Sequence, residues 1–254
     1  MININRIGEI SKNSYGTHME IIEYINANNM IVEFQDEHKF KVHCAYREFI
    51  NGEVRNPYDK SLYGVGYIGV GVYKVKENRQ ITIQYYHWQS MLRRCYSVEY
   101  HMKQPTYIGC SVIDEWLNFQ AFAEWFDKNY YTIRNEEMEL NKDILCKGNK
   151  IYSPTTCVFI PKSINCLFTK NDVNRGEYPI GITEHFSKLE VACKNFNSKR
   201  KYLGLFNKNE VLLAFLTYKE YKESIIKEVA DMFKNDIPQK IYDAMYRYQV
   251  DITD

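Results

Sequence analysis

The first seventy residues carry short apolar runs separated by polar turns. The runs "MEIIEY", "MIVEF" and "KFKVH" are rich in β-branched and aromatic residues. The segments "INANN" and "QDEH" between them contain the Asn and Asp residues that are typical of hairpin loops. This pattern predicts a small twisted sheet or barrel at the start of the chain.

The hydrophobic period changes to that of a helix near Tyr86. One apolar stripe predicts a helix and comprises Trp88, Met91, Leu92, Cys95 and Tyr96. The same helix turns Arg93 and Arg94 toward its polar side. A second helix is predicted over residues 114–130, and its stripe of core residues contains Trp116, Phe119, Ala123 and Phe126.

Three further β-like runs follow in the last third of the chain. They are "IGITEHF", "KLEVACKNF" and "KYLGLF", with the basic stretch "FNSKRK" as a turn. Strands of this kind bury their apolar face when a helix packs against them. Upstream, residues 139–165 read as a hairpin that runs into a helix.

A long amphipathic helix is predicted after the third of these runs. It begins with Asn207, and Glu210 completes a pattern that resembles a capping box. Its apolar stripe contains Val211, Phe215, Tyr218, Ile225, Val229 and Phe233. Another short helix is predicted from about Pro238. The predicted fold class is therefore α+β.

The segment "GVGYIG" (Gly64–Gly69) matches the glycine spacing of dinucleotide-binding turns. It follows a loop that contains Pro57 instead of a strand, and "VGVYKVKENRQITIQYY" after it reads as more strand. The glycines are therefore interpreted as turn or barrel glycines, and no nucleotide cofactor is expected.

Composition and charge limit the partners of the chain. Of its 254 residues, 45% are hydrophobic and 26% are charged, with a net charge of +1. Basic clusters such as "NSKRK" (Asn197–Lys201) sit beside acidic ones such as "NEEME" (Asn135–Glu139). A nucleic-acid surface on this protein is therefore expected to be a local patch.

The cysteines and the hydropathy pattern indicate the cellular compartment in which the protein is expected. Seven cysteines are scattered and never spaced as CxxC, which argues against a disulfide framework or a structural zinc site. The sequence has no apolar run of 18 residues and no signal-peptide core. We expect reduced thiols, no membrane association and a cytoplasmic location.

Five motifs in the centre of the chain resemble one nuclease family. In order, they are "WQSMLRRCY", "DEWLNFQAF", "LNKDI", "YSPTTC" and "PKSIN". Their order and spacing are similar to those of HNH-type nucleases of bacteriophages. That family implies a ββα-metal fold, a divalent cation and hydrolysis of DNA phosphodiester bonds.

The segment after these motifs resembles a second family. "YLGLF" (Tyr202–Phe206) stands where the Apetala-type (ethylene-response-factor) DNA-binding domain carries its Leu-Gly-x-Phe element. Phage homing endonucleases join both modules, and the two resemblances cover about residues 85–235. The implied domains are a β-rich N-terminal domain (1–80), an HNH-like domain (81–172), an Apetala-type domain (173–235) and a helical tail (236–254).

The nuclease resemblance implies a catalytic site at Lys142, Asp143 and Asn165. Asp143 and Asn165 would supply oxygen ligands to Mg²⁺ or Mn²⁺, and Lys142 would position the scissile phosphate. The family's histidine is replaced, so His87, His101 or water on the metal would have to take its place as the base. The alternative is that all three side chains are ordinary surface or capping residues.

The Apetala-type resemblance implies that double-stranded DNA is the partner. Its sheet face would contact phosphates through Lys188, Lys194, Lys199, Arg200 and Lys201, and Arg93 and Arg94 are further DNA-binding candidates. The alternative is a solvated basic turn. The sequence thus predicts a phage-type DNA endonuclease, located in the bacterial host cell if the protein is phage-encoded. Two alternatives stay open: an inactive DNA-binding protein on the same scaffold, and a protein-interaction module.

Overall fold

The computed structural model describes residues 5–133, 136–169, 176–196 and 199–254. The chain has an α+β fold and divides into two compact units, Met1–Lys128 and Asn129–Asp254. Part of each charged cluster noted above, at residues 135 and 197–198, lies outside the described residues.

The first unit opens with an antiparallel sheet, as predicted. Its strands run in the order β1 (Ile10–Lys12), β2 (His18–Asn26), β3 (Asn29–Phe34) and β4 (Lys41–Cys44). Alternate residues of these strands are buried, which is the pattern of a sheet with one face in a core. That core contains Met19, Ile21, Met30, Val32 and Phe34. A short helix, α1 (Tyr46–Ile50), follows the sheet.

The rest of the first unit is mainly helical. Its elements are β5 (Lys76–Glu77), β6 (Gln80–Ile81), α2 (Ile83–Tyr96), α3 (Val98–Lys103), β7 (Ser111–Val112) and α4 (Phe119–Asn129). The predicted stripes are confirmed, because Met91, Leu92 and Phe119 are almost fully buried. Trp88 is also buried, and its Nε1 donates a hydrogen bond to the carbonyl of Trp116 at 2.7 Å.

The prediction of extended strand after Gly69 was largely wrong. Only the two-residue strands β5 and β6 form there, while Val70 and Val72 lie outside any strand and are 58% and 84% exposed. β-Branched residues favour a strand only where a sheet supplies packing. The glycine interpretation is confirmed: Gly69 has a φ of 72°, and a Cβ on Gly66 would lie 2.4 Å from Leu92 Cδ1.

The second unit begins with the predicted hairpin and helix. Its elements are β8 (Met138–Asn141), β9 (Ile151–Tyr152), β10 (Val158–Pro161) and α5 (Lys162–Leu167). β8 and β10 pair antiparallel, and α5 follows β10 without a loop. The paired strands β8 and β10 and the helix α5 therefore form a strand–strand–helix arrangement.

A three-stranded antiparallel sheet and a long helix complete the second unit, as predicted. The elements are β11 (Ile182–His185), β12 (Lys188–Lys194), β13 (Arg200–Asn207), α6 (Val211–Phe233) and α7 (Gln239–Arg247). The helix α6 begins at Val211, four residues later than predicted. Glu210 nevertheless accepts a hydrogen bond from the Asn207 amide at 2.7 Å, which is one half of a capping box.

One core joins the parts of the second unit. The buried stripe of α6 faces the sheet, and the core also takes in residues of β10 and α5; its members include Ile160, Ile164, Leu189, Val191, Phe215, Ile226 and Phe233. The glycine just before β11 brings the backbone close to α6. Gly181 has a φ of 82°, and a Cβ there would lie 2.0 Å from Tyr218 Cδ2.

The segment after α7 is irregular but well bonded. Lys147, in the loop between β8 and β9, donates to the Gln249 carbonyl at 2.9 Å and to the Asp254 carboxylate at 2.7 Å. The Val250 amide donates to Glu223 of α6 at 2.8 Å. Residues 249–254 therefore tie the β8–β9 loop to α6.

Candidate functional site

The exposed side of the strand–strand–helix arrangement carries polar residues of β8. Glu139 lies opposite Ile160 in the antiparallel pair. Met138 and Leu140 are buried, so the alternation of the strand turns Glu139 and Asn141 to the opposite, partly exposed face.

Asn165 of α5 joins these residues. Its Nδ2 donates a hydrogen bond to the Glu139 carboxylate, and its Oδ1 accepts one from Asn141 Nδ2 at 2.7 Å. Asn141 Oδ1 in turn accepts from the backbone amides of Asp143 at 2.8 Å and Ile144 at 2.7 Å. Glu139, Asn141 and Asn165 thus form a connected group of oxygen-bearing side chains, called here the polar cluster.

Lys142 is held apart from the solvent. It is 6% exposed, and its Nζ donates to the two carboxylate oxygens of Asp143 at 2.8 and 2.9 Å and to the Asn149 carbonyl at 2.7 Å. The Asn149 side chain donates back to the Lys142 carbonyl at 2.9 Å. Asp143 is 50% exposed and balances the charge of the lysine. The structure therefore joins Lys142 to Asp143, and joins both to Asn165 through Asn141.

The turn "YSPTTC" (Tyr152–Cys157) leads directly into β10. The Cys157 amide donates to the Ser153 carbonyl at 3.0 Å, and Thr156 Oγ1 donates to the Ile151 carbonyl at 2.8 Å. Cys157 is fully buried, and this burial raises the pKa of its thiol to about 11. The thiol is therefore protonated at neutral pH and serves as a core residue, not as a nucleophile.

Histidine is missing from this part of the sequence. The chain has none between residues 102 and 184. His87 and His101 both belong to the first unit. The His87 ring is 9% exposed and packs 5.5 Å from the Phe126 ring, and His101 Nε2 is bonded to the Arg94 carbonyl at 2.9 Å. Both rings thus take part in the packing of the first unit.

The three-stranded sheet of the second unit has one face away from α6, called here the outer face. Alternate residues of β12 are buried against α6, and the residues between them form the outer face: Lys188, Glu190, Ala192 and Lys194. The strand register adds Tyr202 and Leu205 of β13, opposite Ala192 and Glu190. They are 58% and 44% exposed, so the outer face mixes charged and apolar side chains.

The structure separates the basic residues that were predicted to meet DNA. Lys188 and Lys194 are exposed on the outer face and make no ion pair within the described residues. Arg200 forms an ion pair with Glu190, which lies on the same face. Lys199 is exposed just before β13.

Lys201 is turned to the other side of the sheet. It pairs with the buried Cys193 in the register, and its Nζ lies 4.5 Å from the ring centroid of Tyr221 on α6. A shift in register between Val191 and Ala192 lies next to this position. The lysine therefore packs over an aromatic ring on the α6 side of the sheet and does not lie on the outer face.

Arg93 and Arg94 lie in the first unit, near the end of α2. The guanidinium carbon of Arg93 is 4.7 Å from the Tyr100 ring centroid, and that of Arg94 is 5.8 Å from the Tyr107 ring centroid. Each arginine is thus positioned by a tyrosine face.

Sequence reasoning missed three residues of these surfaces. Glu139 and Asn141 were not named as candidates, although the alternation in "MELN" (Met138–Asn141) would have placed them on one face. Phe186 was read as part of a strand, but β11 ends at His185 and Phe186 lies in the turn. No local signal marks an aromatic residue as a turn residue.

No protein-family model, no curated protein and no solved structure matches this chain. The likeness to HNH-type nucleases and Apetala-type domains therefore stays a prediction. Within the described ranges, no helix has the length and apolar character needed to cross a membrane.

Proposed function

We propose that this chain is a DNA endonuclease that hydrolyses phosphodiester bonds with Mg²⁺ or Mn²⁺. The polar cluster is the observation that supports this proposal. It gathers the Glu139 carboxylate and the amide groups of Asn141 and Asn165 on the partly exposed face of a strand–strand–helix frame. Hard divalent cations prefer carboxylate and amide oxygens.

The donor set fits such a cation. Mg²⁺ is commonly held by one or two carboxylates and keeps several waters. Glu139 would hold the cation together with Asn165 Oδ1, which accepts one hydrogen bond from Asn141 and keeps a second lone pair. The half-exposed Asp143, whose carboxylate accepts from Lys142, offers a second carboxylate nearby in the chain. A cation bound there supplies charge neutralisation for the phosphate and the leaving oxygen.

Hydrogen bonds within the polar cluster, and from the loop beside it, hold its side chains in place. Asn165 is oriented by hydrogen bonds to both Glu139 and Asn141. Asn141 is fixed by the amides of the loop that follows it. Lys142 anchors Asp143 and the Asn149 carbonyl, so we assign it to holding this loop. Preorganised ligands of this kind lower the cost of arranging the reacting groups.

The outer face is assigned to DNA binding. Lys188 and Lys194 contribute positive charge that no described residue neutralises, and Arg200 lies beside them. Lysines that contact phosphates give affinity without sequence choice. Tyr202 adds an aromatic side chain to the same face.

A plasmid assay tests the enzymatic proposal. Supercoiled plasmid is incubated with the wild-type protein in Mg²⁺ or Mn²⁺ and with the variants Glu139→Gln, Asp143→Ala and Asn165→Ala. We expect nicking by the wild type and a loss of at least tenfold in the Glu139 and Asn165 variants, because both side chains belong to the polar cluster. Glu137→Gln is the matched control, since Glu137 is exposed and pairs with Lys162.

The outcomes separate activity from site assignment. A plasmid that stays supercoiled with the wild type in both metals rules out the enzyme. Cleavage that the Glu139 and Asn165 variants leave unchanged places the active site elsewhere. An equal loss in Glu137→Gln indicates a general charge effect instead of a site.

A second candidate function is DNA binding without cleavage. Two observations favour it: residues 102–184 contain no histidine to act as a base, and the Lys142 ammonium is fully bonded within its own loop. This candidate predicts duplex binding that weakens with salt and no nicking under any metal condition.

A further inference from the structure

The turn between β11 and β12 has an unusual residue at its first position. His185 and Lys188 form the last pair of the two strands, so the loop contains only Phe186 and Ser187. Phe186 has a φ of 54° and is the one of the two with a positive φ. Two-residue hairpin turns with a positive φ at this position favour glycine, because a side chain there is strained.

The Phe186 ring is also almost fully in solvent. Its exposed fraction is 89%, above that of any other large hydrophobic residue in the described part of the chain. The ring makes an edge-on contact with the neighbouring His185 ring, with centroids 4.6 Å apart. The aromatic side chain therefore adds nothing to the core of the second unit.

Both features are unfavourable for the isolated fold. A strained backbone position that packing does not require is a sign of function. Glycine at position 186 would remove the strain and the exposed ring together, so the fold itself gives no reason for a phenylalanine. We therefore expect that a bound molecule covers the ring and accounts for the phenylalanine at position 186.

The surroundings of the ring indicate the chemistry of that molecule. Lys188 lies directly after the turn, and Lys194 follows on the same outer face, with the exposed Tyr202 beside it. Positive charge suits a phosphate backbone. An apolar side chain that projects from such a surface matches the wedges that DNA-binding proteins insert between base steps.

We propose that Phe186 is an intercalating wedge that inserts between two base pairs and bends the DNA. This inference rests on the proposed DNA-binding function and adds a mode of recognition to it. Because pyrimidine–purine steps unstack most easily, the wedge favours such steps over stiff A-tracts. Sequence preference then arises at a position where no base edge is read.

The variant Phe186→Gly tests the wedge with three measurements: DNA affinity, DNA bending and thermal stability. Binding to a fluorescently labelled duplex is expected to weaken about tenfold, the size of the loss when an aromatic stacking partner is removed. The end-to-end distance of the bound duplex, measured by energy transfer between its ends, is expected to return toward that of free DNA. The Tm is expected to stay the same or rise, because strain is relieved.

Salt dependence gives an independent readout. The ring contacts bases and not phosphates, so Phe186→Gly is expected to leave the slope of log affinity against log salt unchanged. Phe186→Leu keeps an apolar wedge and is expected to retain the bend. Met232→Ala is the matched control, because it removes an exposed apolar side chain from α6 instead of from the turn. It is expected to change neither affinity nor bend.

The outcomes distinguish the wedge from the function on which it rests. If the wild type binds no duplex at low salt, the DNA-binding proposal fails and the wedge fails with it. If the wild type binds but Phe186→Gly binds and bends DNA equally well, the wedge alone is overturned. A fall in Tm equal to that of a core variant also contradicts it, because the ring would then be structural.

Discussion

Lys142 and Asp143 are neighbours in sequence and form a two-pronged ion pair, with Nζ 2.8 and 2.9 Å from the carboxylate oxygens. Adjacent residues of a strand point to opposite faces, so this pair forms only because β8 has ended at Asn141. The buried lysine thereby brings its own counter-charge. Asp143 and the Asn149 carbonyl, both in the loop after β8, together satisfy the ammonium group.

Replacing this lysine is expected to destabilise the second unit. Lys142→Met removes three hydrogen bonds of a buried charged group and should lower the free energy of unfolding by about 2 kcal/mol. Urea unfolding followed by circular dichroism measures the change. Lys162→Met, which removes an exposed lysine paired with Glu137, should cost below about 1 kcal/mol. Equal losses for the two variants would contradict the structural role of Lys142.

The salt dependence of DNA binding should separate the lysines of the sheet. Lys188→Ala and Lys194→Ala together are expected to reduce the slope of log affinity against log salt by about 1.8, since each phosphate contact contributes about 0.9. Lys201→Ala should leave the slope nearly unchanged, because its ammonium packs over Tyr221. Fluorescence anisotropy at several NaCl concentrations gives the slopes. If Lys201→Ala alone reduces the slope, the DNA-binding surface lies on the α6 side of the sheet and not on the outer face.

The close approach of Gly181 to α6 predicts a severe effect of a small change. Gly181→Ala would place a Cβ 2.0 Å from Tyr218 Cδ2 at a φ of 82°. Overpacking and left-handed strain together should cost about 3 kcal/mol. Gly176→Ala is the control, because no atom lies within 4 Å of the added Cβ. The idea is wrong if both variants unfold at the wild-type urea concentration.

Asp231 on α6 predicts an acid-sensitive contact. Tyr246 donates to its carboxylate at 2.6 Å and Tyr242 at 2.9 Å, and these bonds hold the pKa of Asp231 below its ordinary value. A depressed carboxyl pKa stabilises the fold above the ordinary value, and this contribution is lost as the pH falls below about 4 through the folded pKa. Tyr246→Phe should therefore raise the pKa of Asp231.

Carboxyl chemical shifts in an NMR titration measure that change. Tyr202→Phe is the matched control, because Tyr202 lies on the outer face and not beside Asp231. An Asp231 pKa that is the same in Tyr246→Phe and in the wild type would show that the hydroxyl bond does not form in solution.

Periodic patterns predicted the long elements correctly for a physical reason. In α2 and α6 the apolar stripe repeats over several turns, so packing and local pattern agree. The segment around Val72 has strand-forming residues but no sheet to join, and its prediction failed. A pattern reports the preference of a segment, whereas the presence of a partner strand depends on the whole fold.

The candidate site was only partly predictable. The segment that carries Asp143 and Asn165 was found from its motifs, yet their partners Glu139 and Asn141 required the register of β8 against β10. The side of the sheet on which Lys201 lies depends on an irregularity in the pairing of β12 with β13. A change of register by one residue exchanges the faces of a strand, and sequence alone does not count such irregularities.

Trp88, which bonds to the Trp116 carbonyl, lies in the same unit as the other tryptophans, and this has a practical consequence for the unfolding measurements. All three tryptophans, Trp88, Trp116 and Trp125, lie in Met1–Lys128, and Asn129–Asp254 has none. Tryptophan emission therefore reports on the first unit alone, whereas far-ultraviolet circular dichroism reports on the helices of both units together. Comparing the two signals in one urea titration shows directly whether the halves of the chain unfold as one cooperative system or as two.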